Sequence, residues 1–174
     1  DTAGNLESVK SLEIKIDKTS PVITSQVSPP SNSFSWNNTE AIITFSATDN
    51  LSKVTSITGP ISVSSEGANQ NIGGEAVDGA GNIATTYVTL NIDKTLPIIT
   101  TQVLPQPNAN GWNNTNVTVT FNATDSLSEV ATVTQPQTIT LEGGNQNIGG
   151  EAIDYAGNRA TATMTLNLDK TAPE

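Results

Sequence analysis

The chain contains no cysteine and no histidine among its 174 residues. These absences exclude disulfide frameworks, zinc sites built from either residue, and the nucleophile and base pairs that depend on them. Cysteine is also missing from many secreted bacterial repeat proteins, so its absence does not assign a compartment. Catalysis has little support, and we predict that the protein is not an enzyme.

Positive charge is scarce, with seven Lys and Arg against 17 Asp and Glu and a formal net charge of -10. The basic residues form no cluster, which argues against a nucleic-acid partner and against polybasic membrane contact. No apolar run reaches the roughly 18 residues of a membrane-spanning helix. The acidic excess instead favours a hard cation as ligand.

The sequence repeats itself with a period of 76 residues: the tetrapeptide Trp-Asn-Asn-Thr occurs at 36–39 and 112–115. Aligned without gaps, 43 of 76 positions match, so residues 20–95 and 96–171 are expected to be two complete repeats of one fold. Residues 1–19 match the end of a repeat, and residues 172–174 match the beginning of one. We therefore expect the last strand and linker of a preceding repeat before the first repeat, and the start of a following repeat after the second.

Apolar and polar residues alternate with a period of two, as at Val117, Val119 and Phe121, which is typical of half-buried strands. Turn signals separate further candidate strands at 22–27, 41–47, 53–58, 61–64, 70–77 and 88–92. This pattern predicts an all-β fold of tandem immunoglobulin-like β-sandwich domains of about seven strands each, with a barrel of similar strands as the alternative. The paired glycines at 73–74 and 149–150 indicate a bulge or close sheet packing.

Aspartates occupy three places in each repeat that this topology brings to one end of the sandwich. One lies after the second strand, one in the turn before the last strand, and one in the linker from the preceding repeat. Crowded carboxylates repel each other, but together with amide and carbonyl oxygens they suit calcium. We therefore expect one calcium ion per junction, with Asp17, Asp49, Asp78 and Asn82 as candidate ligands for the first repeat and Asp93, Asp125, Asp154 and Asn158 for the second.

Turn chemistry offers another explanation for the same residues. The aspartates and asparagines of Asp-Xaa-Ala-Gly-Asn can form Asx-turns, with Gly81 or Gly157 supplying a positive φ. Turn formation gives no reason for separate loops and a linker to converge in space. Both interpretations stay open at this point.

Five motifs together, Asp-Lys-Thr-Xaa-Pro, Trp-Asn-Asn-Thr, Ala-Thr-Asp, Glu-Gly-Xaa-Asn and Asp-Xaa-Ala-Gly-Asn, resemble the bacterial Ig-like tandem repeats of large surface and secreted proteins. The resemblance covers nearly the whole chain, although the loop after Ala-Thr-Asp departs from the Ser/Gly-rich turn that is common in the family. It implies extracellular or cell-surface display as an adhesin-type stalk, with calcium at the domain interfaces. The expected partners are the neighbouring repeats, other copies in a filament, or a host or surface receptor bound through a tip domain outside this segment.

Two other functions stay open. An unpaired strand at residues 6–16, or an exposed sheet edge, could complete the sheet of another copy and build a filament. Trp36 and Trp112 could be platforms of a carbohydrate-binding module in a secreted enzyme, although a single aromatic per repeat more often packs at a sandwich edge.

Overall fold

The computed structural model describes residues 2–4, 6 and 8–174. All regular secondary structure in this part of the chain is β-strand, which confirms the predicted all-β class, and no helix here could span a membrane. The first repeat contains six strands: β1 (Val22–Ser28), β2 (Ala41–Thr48), β3 (Val54–Ile57), β4 (Ile61–Val63), β5 (Gly67–Asp78) and β6 (Ile83–Ile92). The second contains seven: β7 (Ile98–Leu104), β8 (Trp112–Asn113), β9 (Val117–Thr124), β10 (Val130–Val133), β11 (Gln137–Ile139), β12 (Gly143–Asp154) and β13 (Arg159–Leu168).

These strands form four sheets, two from each repeat. In the first repeat the sheet orders are β1-β2-β4 and β3-β5-β6, with every pair antiparallel. In the second they are β11-β9-β7 and β10-β12-β13-β8, and the short β8 runs parallel to the end of β13. A single parallel bridge between Asn37 and Ile92 takes the place of β8 in the first repeat. Each sheet draws all its strands from one repeat.

Each repeat packs its two sheets around its own hydrophobic cluster, as the alternation of apolar residues predicts. In the first repeat, Ile43 and Phe45 of β2 meet Leu90 and Ile92 of β6 from the opposite sheet. Burying a side chain of this size stabilises a fold by roughly 1.5–3 kcal/mol. The corresponding buried residues of the second repeat are Val117, Val119, Phe121, Leu166 and Leu168.

Glycine lets the two sheets approach closely at one point in each repeat. A Cβ atom on Gly74 would collide with the ring of Phe45, and a Cβ atom on Gly150 would collide with the ring of Phe121. The strand register is continuous through both glycines. The paired glycines therefore mark close sheet packing and not a bulge.

The strand expected at residues 6–16 does not form in the described part of that segment, and residue 7 lies outside the described residues. Leu12, Ile14 and Ile16 are 85%, 72% and 70% exposed, whereas Leu90 and Ile92, which occupy the positions of Ile14 and Ile16 in the first repeat, are buried. A strand needs a hydrogen-bonding neighbour, and no ladder among the described residues includes this segment. The segment pairs with no strand among the described residues, and its assignment as the last strand of a preceding repeat stays a prediction.

Candidate metal centre at the start of each repeat

The strand connections bring three aspartates together at the start of the first repeat. Asp49 follows β2, Asp78 ends β5 and Asp17 precedes β1. One carboxylate oxygen from each lies within 4.8 Å of the other two, and we call these residues the first cluster. The convergence expected from strand order is present in both repeats, because the same geometry occurs in the second cluster, formed by Asp93, Asp125 and Asp154.

Asp125 closes a tight turn with one of its two carboxylate oxygens. Its Oδ1 accepts hydrogen bonds from the backbone N–H groups of Leu127, Ser128 and Glu129 at 3.0, 2.9 and 3.0 Å. The turn ends at Glu129 with a φ of 62°, a conformation uncommon for residues other than glycine. Asp49 makes the same three contacts in the first repeat. In both aspartates Oδ2 accepts no hydrogen bond from the described residues, so it is available to a ligand.

Asp154 organises the turn between β12 and β13. Its Oδ1 accepts the backbone N–H groups of Gly157 and Asn158 at 2.7 and 2.8 Å, and its Oδ2 accepts Nδ2 of Asn158 at 2.8 Å. Gly157 has a φ of 94°, the positive value predicted for this glycine. The Asx-turn chemistry expected from the sequence is therefore present, and it accompanies the convergence of the three carboxylates.

Hydrogen bonds keep two carboxylates of the first cluster ionised. The backbone N–H group of Thr19 at 2.9 Å lowers the pKa of Asp17, with a further contribution from the backbone N–H group of Ser52 at 3.1 Å. Burial acts to raise the pKa of Asp78, but hydrogen bonds from the side chain and backbone of Asn82 outweigh it, so the pKa of Asp78 is also lowered. Both groups therefore carry negative charge at neutral pH.

The linker aspartate Asp93 is anchored in both repeats. Its carboxylate accepts the N–H groups of Thr95 and Ser128 at 3.0 Å each, and its side chain has no exposed surface. Its own N–H group donates to the carbonyl oxygen of Asn37 in the first repeat at 3.0 Å. Its carbonyl oxygen accepts Nδ2 of Asn158 in the second repeat at 2.9 Å. The residue that ends the first repeat is thus part of the fold of the second.

The two candidate asparagine ligands face the clusters with their amide nitrogens. Nδ2 of Asn158 donates both to Asp154 Oδ2 and to the carbonyl oxygen of Asp93. Asn82 makes the corresponding contacts in the first repeat. An amide nitrogen is a hydrogen-bond donor and offers no lone pair to a cation. Ligation by either asparagine would require its amide to rotate, and in this structure both act as donors.

The donor set of each cluster fits a calcium ion. Oxygen ligands lie about 2.3–2.6 Å from calcium, so two ligands of one ion are at most about 5 Å apart. The three aspartates of each cluster meet this limit. No ion pair among the described residues includes any of these carboxylates. The buried hydroxyl oxygen of Ser52 has no hydrogen-bond partner. In the first cluster, carboxylates without an ion-pair partner beside this free oxygen suit a hard cation.

Two parts of the site were not identified from the sequence. The N–H group of Ser128 donates to both Asp93 and Asp125. Glu66 holds the linker from the side of the first repeat, where its carboxylate accepts the N–H group of Lys94 at 2.6 Å. Ser128 and Glu66 both recur with the 76-residue period, as Ser52 and Glu142. The repeat therefore marks them as shared, but the period alone does not show what they contact.

The two tryptophans belong to the edges of their own sandwiches. Trp112 lies in β8 and is 39% exposed, with its ring beside Gly144. Trp36 is half-buried at the matching position. Carbohydrate binding by either ring stays a prediction.

The chain matches no protein-family model and no curated protein. The resemblance to bacterial Ig-like repeats therefore depends on the sequence motifs. The candidate metal centre, in contrast, is supported by the geometry of the two aspartate clusters.

Proposed function

We propose that this chain is a non-catalytic spacer of an extracellular, cell-surface protein, made of Ig-like domains at residues 20–95 and 96–171 and stiffened by calcium at their junctions. The observation that carries the proposal is the position of the linker aspartate. Asp93 belongs to the first repeat in sequence but completes the aspartate cluster of the second in space. A cation held by this cluster would tie the linker to two loops of the second repeat.

The position of the clusters favours a mechanical role over a catalytic one. Each cluster combines two loop aspartates with one linker aspartate, so occupancy changes how the linker is held. Calcium sites of extracellular modules bind with a Kd of roughly 10⁻⁴ to 10⁻³ M. A site of that affinity is filled outside a cell and empty in most intracellular fluids, so calcium would add its contacts to the junctions once the stalk is displayed.

Calorimetric titration with calcium, combined with thermal unfolding, tests the metal sites. We expect two ions per chain, one for each cluster. An ion present at 100 times its Kd stabilises the native state by about 2.7 kcal/mol per site. Magnesium should bind more weakly, because it demands a near-octahedral shell of short bonds that these loops do not provide.

Asp125→Asn is the most informative variant, because an amide oxygen can still accept the three N–H groups of the turn while one negative charge is removed. We expect it to lose one of the two calcium ions and to keep the fold. The matched control is Asp169→Asn, which changes the same linker position at the end of the second repeat, outside both clusters, and should keep both ions. Unchanged stoichiometry in Asp125→Asn, or no binding by the unmodified chain at about 10 mM calcium, well above the usual Kd range, would refute the metal assignment.

The spacer role itself is tested by small-angle X-ray scattering. A stiff spacer should show one maximum dimension, set by two sandwiches in a fixed orientation, in the presence of calcium. A scattering profile that requires many interdomain orientations under saturating calcium would count against a stiff stalk. That result would leave the calcium sites themselves untouched.

A second candidate function is assembly by strand complementation, which one observation favours. The side chains of Leu12, Ile14 and Ile16 are mostly exposed, and apolar surface of this kind is a common contact for another chain. If the segment adds to the sheet of another copy, sedimentation velocity should show concentration-dependent oligomers. Leu12→Asp combined with Ile14→Asp should abolish them, while the control Ser11→Asp should not. A chain that stays monomeric at high concentration would remove this candidate.

A further inference from the structure

The linker is one place at which the first repeat is attached to the second. Residues 93 and 94 are held by Asn37 and Glu66 on the side of the first repeat, and by Ser128 and Asn158 on the side of the second. All of these bonds act on two consecutive residues, Asp93 and Lys94. Two bodies joined over so short a segment can still swing about it. A fixed angle between the repeats needs a second contact away from the linker.

A second contact exists between the loop at 31–36 of the first repeat and Tyr155 of the second. Nδ2 of Asn32 donates a hydrogen bond to the carbonyl oxygen of Tyr155 at 2.8 Å, across 123 positions of sequence. The ring of Phe34 meets the ring of Tyr155 edge to face, with centroids 4.9 Å apart and an interplanar angle of 70°. Aromatic pairs favour this arrangement. The contact is therefore both polar and apolar.

The loop that makes this contact is organised before it meets the second repeat. Oδ1 of Asn32 accepts the N–H groups of Phe34 and Trp36 at 2.9 and 3.1 Å, which fixes the loop and leaves Nδ2 free to point outward. In the second repeat Asn108 makes the same pair of internal bonds. The loop conformation is thus common to the two repeats, and the contact with Tyr155 is added to it in the first.

The aromatic pair itself is particular to this joint. The 76-residue period places Asn110 at the position of Phe34 and Gly79 at the position of Tyr155. At the start of the first repeat, Gly79 lines an open cavity of about 590 Å³ together with Ile16, Leu51 and Ala80. Asn110 and Gly79 carry no aromatic ring, so neither residue can take part in such a ring contact. A different angle or greater freedom is therefore expected wherever a repeat carries glycine there.

From these contacts we infer that the Asn32, Phe34 and Tyr155 contact is a second fastening that fixes the angle between the two repeats without any cation. The two repeats then move as one rigid body even when calcium is removed. The inference does not depend on the proposed metal sites, because none of these three residues belongs to either aspartate cluster.

Double electron–electron resonance on spin-labelled chains in excess chelator tests the fastening. The absence of native cysteine allows one label on each repeat, at the exposed and equivalent positions Thr89→Cys in β6 and Thr165→Cys in β13. We expect a single narrow distance peak for the otherwise unmodified chain. Tyr155→Ser should lose that narrow peak, and Phe34→Asn, which installs the residue of the second repeat, should do the same.

Tyr87→Ser is the matched control, because Tyr87 is an exposed tyrosine of β6 that makes no contact with the second repeat in this structure, and it should keep the narrow peak. Unchanged tryptophan fluorescence in each variant establishes that both sandwiches stay folded. A broad distribution for the unmodified chain in chelator that narrows only on adding calcium would overturn the inference. Narrow peaks retained in both Tyr155→Ser and Phe34→Asn would overturn it as well.

Discussion

Replacing Asp93 by alanine measures what the linker aspartate contributes to the second repeat. Its buried carboxylate accepts two backbone N–H groups, from Thr95 and Ser128. Hydrogen bonds to a charged group contribute about 1.5–3 kcal/mol each. The N–H group of Ser128 would lose only one of its two acceptors, because Asp125 also accepts a hydrogen bond from it. Removing one of three neighbouring negative charges also relieves repulsion, so we expect a net loss of roughly 2 kcal/mol.

The assay is urea unfolding in excess chelator, so that only the hydrogen bonds are tested. Each repeat contains one tryptophan, and a Trp36→Phe background leaves Trp112 to report on the second repeat alone. The matched control is Asp169→Ala. Asp169 occupies the same position at the end of the second repeat, is exposed, and accepts only the N–H group of Thr171. Its replacement should cost less than about 0.5 kcal/mol, as is usual for surface positions.

Equal and small losses for Asp93→Ala and Asp169→Ala would refute the reasoning. They would mean that the linker aspartate is not held by the second repeat when calcium is absent. A loss confined to Asp93→Ala, and larger in calcium than in chelator, would separate the hydrogen-bonding role of this residue from its role as a metal ligand.

Two further predictions concern the packing of the core and the stability of the fold at low pH. Gly150→Ala should destabilise the second repeat by roughly 1–3 kcal/mol in urea unfolding, because its Cβ atom would collide with the ring of Phe121; Gly149→Ala, where a Cβ atom meets its nearest neighbour at 3.7 Å, is the control. The folded pKa values of Asp17 and Asp78 are lowered, so their contribution to the first repeat is complete above the unfolded value of about 3.9 and is lost as the pH falls through the folded values. In a Trp112→Phe background, the fluorescence of Trp36 should report this loss of stability of the first repeat at low pH. Asp78→Asn should make the stability of the first repeat less dependent on pH. An acid-unfolding midpoint that Asp78→Asn leaves unchanged would contradict the role given to Asp78.

The strands and the aspartate convergence were accessible from the sequence because both follow from short-range pattern and strand order. The alternation from residue 41 to 47 decides which face of β2 is buried, and the observed cluster places Ala41, Ile43 and Phe45 of that face in the core. Asp49 follows β2 and Asp78 ends β5, and both strands finish at the same end of the two-sheet fold, so the strand order was sufficient to bring these residues together. The repeat also supplied two independent copies of each pattern.

Three features could not be predicted because they depend on contacts that no local pattern encodes. The segment at 6–16 has the alternation of a strand, but a strand forms only as part of a ladder, and no ladder among the described residues includes it. The direction of the Asn158 amide depends on which groups surround it, not on its place in the motif. Phe34 and Tyr155 interrupt the repeat, and their contact depends on the angle between the two sandwiches.

The hydrogen bonds of the second cluster determine what calcium would change there. With no cation bound, the amide of Asn158 places partial positive charge between the Asp154 carboxylate and the carbonyl oxygen of Asp93. A calcium ion at the cluster would take over that compensation, and Asn158 would then have to withdraw or present its oxygen. The linker is therefore already joined to the second repeat before the ion binds, through Ser128 as well as Asn158. Calcium would exchange one set of contacts for a stronger one, and we expect it to raise the unfolding free energy of the second repeat far more than it changes the angle between the repeats.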